Sequence, residues 1–331
     1  MFLSHIHNFR AYAIIGIVGA HSLHAFQWVD NPAAFRLFDT IFNQSSVLFF
    51  FIAGFMFQYL SQRFEKWNYW GKKIKNVIIP YLLLSIPAIY YYTQIGVQDN
   101  TWSGFYDYPL YKQIFFFLIT GKHLAPFWFV PTIAIFYLFA PLLIKADRDR
   151  RIYWLLPIFM LISLYLGRSG QYGPINKAVY LFSVYLLGMF ASVHHDQMLD
   201  LVKRFQWLLL AFIVGLIFVN MVSTGYEQYV QYTLKVAMCP LLLFYFYRAE
   251  KVVDGRLDYL GHVSFGIFFI HAYVLPAIKI IYLKASGLST FPEGDILSYG
   301  SLTVSVTLGC MLVIYLSQKI TGRYSRMLLG A

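Results

Sequence analysis

The chain has 331 residues, of which 59% are hydrophobic, 20% aromatic and only 12% charged. A soluble domain carries about 25% charged residues, so a soluble fold is excluded and a bilayer is the solvent that this composition suits. The net charge of +11, from 26 Lys and Arg against 15 Asp and Glu, would point to nucleic acid in a soluble protein; here the cations sit in short loops between apolar runs, where they set topology and meet anionic lipid.

A bilayer core takes about 20 apolar residues per helix, and on that measure about ten runs qualify: 8–28, 43–61, 77–95, 127–145, 152–167, 177–193, 207–222, 231–248, 263–283 and 298–317. The first run has polar residues inside it and no small-residue cleavage site after it, so it is expected to be a retained helix. The fifth is short. A further apolar stretch, 114–119 within 113–120, is too short to span and is expected to be re-entrant or interfacial. The stretch 96–126 is rich in Tyr, Trp and Gly and holds Asp99, Asp107 and His123. It fits either a cover over a site or an ordinary interfacial loop. The expectation is a single all-α domain over 1–331, a polytopic membrane helix bundle.

The loop charges orient this bundle. One set of loops holds Arg63, Lys66, Lys72, Lys73 and Lys75, then Lys145, Arg148, Arg150 and Arg151, then Lys203 and Arg204, then Arg248, Lys251 and Arg256, with Lys319, Arg323 and Arg326 in the tail. The alternate loops hold Arg36, Lys112, Lys122, Arg168, Lys177 and Lys284. The bias alternates through all the runs and predicts both termini in the cytoplasm.

Ionisable residues inside an apolar helix are costly, about 2.5–3.5 kcal/mol each at the centre, and so point to function. The first run reads HNFRAYAIIGIVGAHSLHAFQW. Arg10 and His21 are eleven residues apart, which turns them by about 20° and separates them by about 16 Å along the axis. They share a face, and His24 follows on nearly the same one. Snorkelling of Arg10 and an interhelix hydrogen bond from His21 would account for either residue alone; the aligned pair favours function. His271 in SFGIFFIHAYVL falls at a depth similar to His21. Lys235 and Lys279 lie near helix ends, where snorkelling is expected. Gly54 in FFFIAGFMF permits close helix approach. Asn43-Gln44-Ser45-Ser46 would face an outer opening, and Lys72, Lys73 and Lys75 precede Pro80-Tyr81, where they could hold a phosphorylated ligand or lipid headgroups. Cys239 and Cys310 have no Cys or His partner at ligand spacing, so no metal is expected. No Gly-rich phosphate loop, HExxH or GxSxG is present.

Taken in order, these elements resemble the membrane acyltransferase-3 family, multi-span bacterial proteins that O-acylate envelope glycans. The family's arginine, ten intervening residues and histidine fit Arg10 and His21. Its phenylalanine-led S-G-F element looks like Phe50 to Phe55, with Ala53 where serine is usual. Its basic stretch before Pro-Tyr looks like Lys72 to Tyr81, and its W-F-(L/V) element looks like Trp128-Phe129-Val130. Its late S-(Y/F)-G-I-(Y/F)-x-x-H element matches Ser264 to Ile267, Phe268 and His271. The resemblance covers nearly the whole chain, and the stand-alone form, without a fused esterase-like domain, is the expectation.

The resemblance implies an O-acyltransferase in the bacterial cytoplasmic membrane. Acyl-CoA, most commonly acetyl-CoA, is the implied co-substrate, with no tightly bound cofactor. A sugar hydroxyl of a surface or exported glycan is the implied acceptor, and envelope-polysaccharide assembly proteins are the implied partners. On this reading Arg10 binds CoA phosphate or polarises the thioester, and His21 is the general base or a transiently acylated nucleophile. His271 positions His21 or the acceptor, and Lys72, Lys73 and Lys75 take the nucleotide of CoA. His24, Asn43, Trp128 and His123 are candidates for the acceptor side, with Asp30 and Asp39 as weaker ones. A sugar or lipid-linked oligosaccharide flippase is the rival reading from the residues, although neither paired halves nor paired broken helices are evident.

Overall fold

The computed structural model describes residues 3–168, 173–253 and 257–331. Arg256, one of the loop cations above, lies outside the described residues, and of Lys251 only the backbone is described. The described residues are helical throughout, apart from turns and one isolated bridge between Gln27 and Glu293. In chain order the helices are α1 (Ser4–Leu23), α2 (Pro32–Phe42), α3 (Ser46–Tyr59), α4 (Lys66–Lys73), α5 (Ile79–Gln94), α6 (Leu110–Thr120), α7 (Phe129–Leu138), α8 (Ala140–Asp149), α9 (Leu156–Leu166), α10 (Pro174–Val193), α11 (His195–Val222), α12 (Glu227–Arg248), α13 (Glu250–Val253), α14 (Asp258–Ser286), α15 (Ile296–Thr321) and α16 (Ser325–Leu329).

Among the described residues, seven helices or joined helices are long and apolar enough to cross a bilayer: Pro32–Tyr59, Lys66–Gln94, Pro174–Val193, His195–Val222, Glu227–Arg248, Asp258–Ser286 and Ile296–Leu329. They become eight if α7 and α8, bent by 59°, form one broken span. The expected count of about ten is therefore not reached on length and composition alone. The other two expected runs are helical but fall short, each for its own reason. Arg151–Leu166 is too short. α1 has the length, but His5, His7, Asn8, Arg10 and His21 dilute its apolar content.

That dilution follows from where α1 sits. It packs against α2, α3, α12, α14 and α15, and Ile6, Phe9, Ala11, Ile14, Ile17 and Val18 are buried around its circumference. A helix enclosed by other helices need not be apolar enough to face lipid. Its polar side chains are instead directed at neighbouring helices and internal space, away from lipid.

Glycines set the closest approach in the bundle. A Cβ on Gly54 of α3 would lie 2.0 Å from the Tyr185 carbonyl oxygen, and one on Gly188 of α10 would lie 2.0 Å from that of Phe51. The two backbones are in reciprocal contact, which no larger residue permits.

The bend between α7 and α8 also has a local cause. Pro141 has no N–H, so the Tyr137 carbonyl four residues earlier loses its helical donor. Trp70 Nε1 of α4 donates to that carbonyl at 2.7 Å. This bond docks α4 against α7, and the one-turn π-helix Ile74–Ile78 carries the chain onward into Pro80 and α5. A proline in one helix thereby fixes the position of a basic helix that is distant in sequence.

Candidate active site

The docked α4 brings its last residue, Lys73, to the amino-terminal end of α1. Lys73 Nζ stands 4.6 Å from the Tyr137 ring centre and 5.2 Å from that of Tyr69, a cation–π geometry that holds the ammonium inward. Arg10 of α1 lies within electrostatic reach of Lys73, Tyr137 and Arg326 of α16. Three cations thus lie in one another's fields, Arg326 on the exposed side, and no carboxylate of the described residues forms an ion pair with any of them. Such a group repels itself unless an anion joins it. Lys72 and Lys75 point outward and are exposed.

One helical face further along α1, the ring centres of His21 and His271 are 5.1 Å apart. His271 is buried on α14, and its Nδ1 donates to the Ile267 carbonyl at 2.9 Å. That bond fixes the neutral tautomer and leaves Nε2 as an acceptor, buried without a hydrogen-bond partner. His21 is only partly buried. The two imidazoles therefore face each other, with one lone pair unused.

A cavity of about 550 Å³ opens beside the α2–α3 corner, which packs on the second half of α1 at Gly16 and Gly19. Asn43, Gln44, Trp128, Arg168, Lys177 and Gln231 line it, together with Asp39, Asn100, Gly225, Glu227 and Gln228. The α2–α3 corner is shaped to present its polar side chains here. Gln44 takes the left-handed conformation, φ 58°, which asparagine-rich corners tolerate, and its N–H donates to Asn43 Oδ1 at 2.8 Å. Gln44 Oε1 accepts from Tyr180 at 2.8 Å, and Gln44 Nε2 donates to Gln231 Oε1 at 3.3 Å. Gln231 in turn donates to Asp39 at 3.0 Å. The field of Arg168 reaches both His21 and Tyr180, so the histidine pair lies within electrostatic range of this cavity.

The arrangement is a polar path along α1, with cations at its start, two imidazoles on its course and a polar cavity at its end. The family profile described as "Acyltransferase domain" of the acyltransferase-3 type matches residues 4–315 of the 331. The chain belongs to the acyltransferase-3 family. It is a membrane acyltransferase, and the matched region spans every helix of the path except α16. No curated protein and no solved structure matches the chain.

In this acyltransferase the residues singled out from sequence separate into groups. Arg10 and Lys73 meet at one end, while Lys72 and Lys75 stand away from them. His21 and His271 meet in the middle. Asn43 and Trp128 line the cavity, as does Asp39. His24 is exposed, with its ring edge-on to Phe35 at 5.7 Å. His123 does not join the others. Its Nδ1 donates to the Phe117 carbonyl at 3.0 Å and its Nε2 accepts from Ser85 at 2.8 Å, and burial pushes the imidazole down to about 4, so it is a neutral brace between α5 and α6.

Lys235 corrects an expectation. It does not snorkel: it is 0% exposed, donates to the Ile41 carbonyl and lies within the field of Asp39. The lysine is bracing the same α2–α3 corner from below, because a backbone carbonyl at the end of α2 offers a partner that lipid does not. Lys279 is half-buried and donates to the Ala25 carbonyl at 3.2 Å.

Three members of the path were not visible as such in the sequence. Arg168, Lys177 and Arg326 read only as loop or tail charges in the topological count, and a charge count is blind to the fact that Arg168 and Lys177 point inward while Arg326, though exposed, stands in the field of Arg10. No signal in the sequence marked them, because Trp128, which holds Arg168 and Lys177, is distant from both along the chain.

Proposed function

We propose that the chain transfers an acyl group from acyl-CoA, bound at the Arg10 end, to a sugar hydroxyl bound in the cavity at the other end of α1. The observation that supports this reading is the succession, near α1, of a cationic group without a carboxylate partner, an imidazole pair shared with α14 and a polar cavity beside the α2–α3 corner. Arg10, Lys73 and Arg326 would take the phosphates of CoA by charge-assisted hydrogen bonds. The pantetheine would then run along α1 and deliver the thioester near His21.

The chemistry balances within these groups. The acceptor oxygen bonds to the thioester carbonyl carbon while His21 takes the hydroxyl proton as general base. Collapse of the tetrahedral intermediate breaks the C–S bond, and the proton passes from His21 to the departing thiolate. The free Nε2 of His271 is suited to accept from the His21 ring and hold its tautomer, the supporting role that a second residue plays beside a catalytic histidine.

The loop-charge bias supports a cytoplasmic face at the Arg10 end, which suits a cytoplasmic donor, and an acceptor exposed on the opposite side of a bacterial inner membrane. Acetyl is the favoured group on the resemblance alone.

The test is transfer of label from acetyl-CoA to a glycan by the purified protein. A folded His21→Ala variant should lose about 100- to 10,000-fold in rate, the worth of a general base. Transfer at the wild-type rate by that variant would sink the catalytic assignment. Thermal stabilisation of the wild type by CoA is expected, and stabilisation by glycan alone would favour the flippase reading instead.

A further inference from the structure

The cavity at the far end of α1 is lined by two carboxylates and two cations, but they are not paired with one another. Its two carboxylates are already engaged. Asp39 accepts from Gln231 at 3.0 Å and lies in the field of buried Lys235. Glu227 accepts from the Gly225 N–H at 3.0 Å and pairs with Arg36 at 3.8 Å. Its two cations, Arg168 and Lys177, have no carboxylate of the described residues within ion-pair distance.

Both cations are held instead by an aromatic face. The guanidinium carbon of Arg168 and the Nζ of Lys177 each stand 4.8 Å from the Trp128 ring centre. A cation over an indole is attracted to it without spending its N–H donors. Consistent with this, Arg168 Nη1 is buried with no hydrogen-bond partner. Lys177 also feels the positive fields of Arg168 and Lys122. Like charges gathered in a partly desolvated cavity are unfavourable until an anion enters. A planar guanidinium with idle donors is suited to a bidentate oxyanion.

We infer that the acceptor is an acidic sugar whose carboxylate or phosphate is bound by Arg168 and Lys177 over Trp128. This rests on the acyl-transfer reading above and adds the substrate class to it. Arg168 lies within electrostatic range of His21, and in this scheme the anion held at Arg168 orients the sugar toward the imidazole. Asn43, Gln44 and Gln231 supply neutral donors and acceptors for the remaining hydroxyls. Arg168 and Lys177 are binding residues in this scheme and take no part in bond making.

The experiment measures binding without donor, so it does not depend on turnover. The full chain in nanodiscs of zwitterionic lipid is titrated with methyl β-glucuronide, glucose 1-phosphate and methyl β-glucoside, with tryptophan fluorescence and calorimetry as readouts. At least one anionic probe should bind about tenfold or more tightly than the neutral glucoside, equivalent to about 1.4 kcal/mol, and added salt should shrink that advantage. A preference for the glucuronide identifies a uronic acid acceptor, and a preference for the phosphate identifies a phosphorylated one. Arg168→Gln and Lys177→Gln should each reduce the advantage. Arg168→Lys should restore part of it, which a merely unfolded variant would not show.

Equal affinity of the wild type for all three probes would overturn the inference, and so would an undiminished charge preference in both glutamine variants. CoA binding, measured in parallel, separates the two claims. Its absence from the wild type would remove the donor reading while leaving the anion preference to stand or fall on its own titration.

Discussion

α1 and α11 make opposite use of the membrane. Of the seven spans that qualify on length and composition, α11 is the most apolar, yet its spanning window is almost entirely uncovered by protein. Trp207, Leu208, Phe212 and Phe218 all project outward, a surface that only lipid suits. α1 does not qualify as a span on hydropathy and is nevertheless enclosed by five other helices. In a soluble protein the apolar helix would be the buried one. Here hydropathy reports exposure to lipid, and a polar residue marks the interior. The costliest residues therefore lie on the best-shielded helix, where other side chains and ligands can satisfy them.

The sharpest test of this contrast substitutes charges on each helix. Arg10→Ala should lower kcat/KM by about 100-fold or more, in the range seen when a preorganised anion-stabilising donor is removed. Arg204→Ala, on an exposed turn of α11, should leave it unchanged. Equal effects would break the distinction between the two helices. A labelled acetyl-CoA transfer assay measures both.

The next test substitutes glycines and predicts opposite signs. Gly54→Ala would set a Cβ 2.0 Å from a backbone oxygen, forcing α3 and α10 apart at about 1–3 kcal/mol. Gly215 of α11 has nothing within 4 Å of its Cβ position. Gly215→Ala should therefore stabilise by up to about 1 kcal/mol through helix propensity. Thermal unfolding in detergent would show one midpoint falling and the other rising.

A smaller effect separates lysines that the sequence groups together. Lys73→Ala should weaken CoA binding about tenfold, the loss of one charge-assisted contact. Lys72→Ala and Lys75→Ala should change it little, because both side chains are exposed. Isothermal titration with CoA decides it, and three equal losses would mean that the stretch acts as a diffuse basic surface.

The same contrast explains what the sequence could and could not reveal. The positions of the helices were legible, because a bilayer forces long apolar runs into helices. The α1 face bearing Arg10 and His21 was legible from helical geometry alone, since spacing within one helix is fixed. Which residues meet between helices was not. Lys73 and Lys75 are two residues apart, and only the docking of α4 turns one inward and leaves the other outside. Lys235 near a helix end resembles a snorkelling lysine until the corner at Ile41 is placed above it. Arg168 and Lys177 entered only a charge count, which records the side of the membrane and not the direction of a side chain.

Trp70 carries that last step from local chemistry to site geometry, and its substitution has the smallest expected effect. Its indole donates to the carbonyl that Pro141 leaves free, and this bond sets where α4 lies. Trp70→Phe keeps the ring and removes the donor, so it should cost about 0.5–1.5 kcal/mol of stability. Lys73 would then be held less firmly over Tyr137, and the KM for acyl-CoA should rise a few-fold while kcat at saturation holds. Trp67 is on the same short helix but 74% exposed, and Trp67→Phe should do neither. If both variants behave alike, α4 is positioned by its charges against the membrane surface and not by the Trp70 bond. A rise in KM confined to Trp70→Phe would trace the donor site back to a single proline in α8.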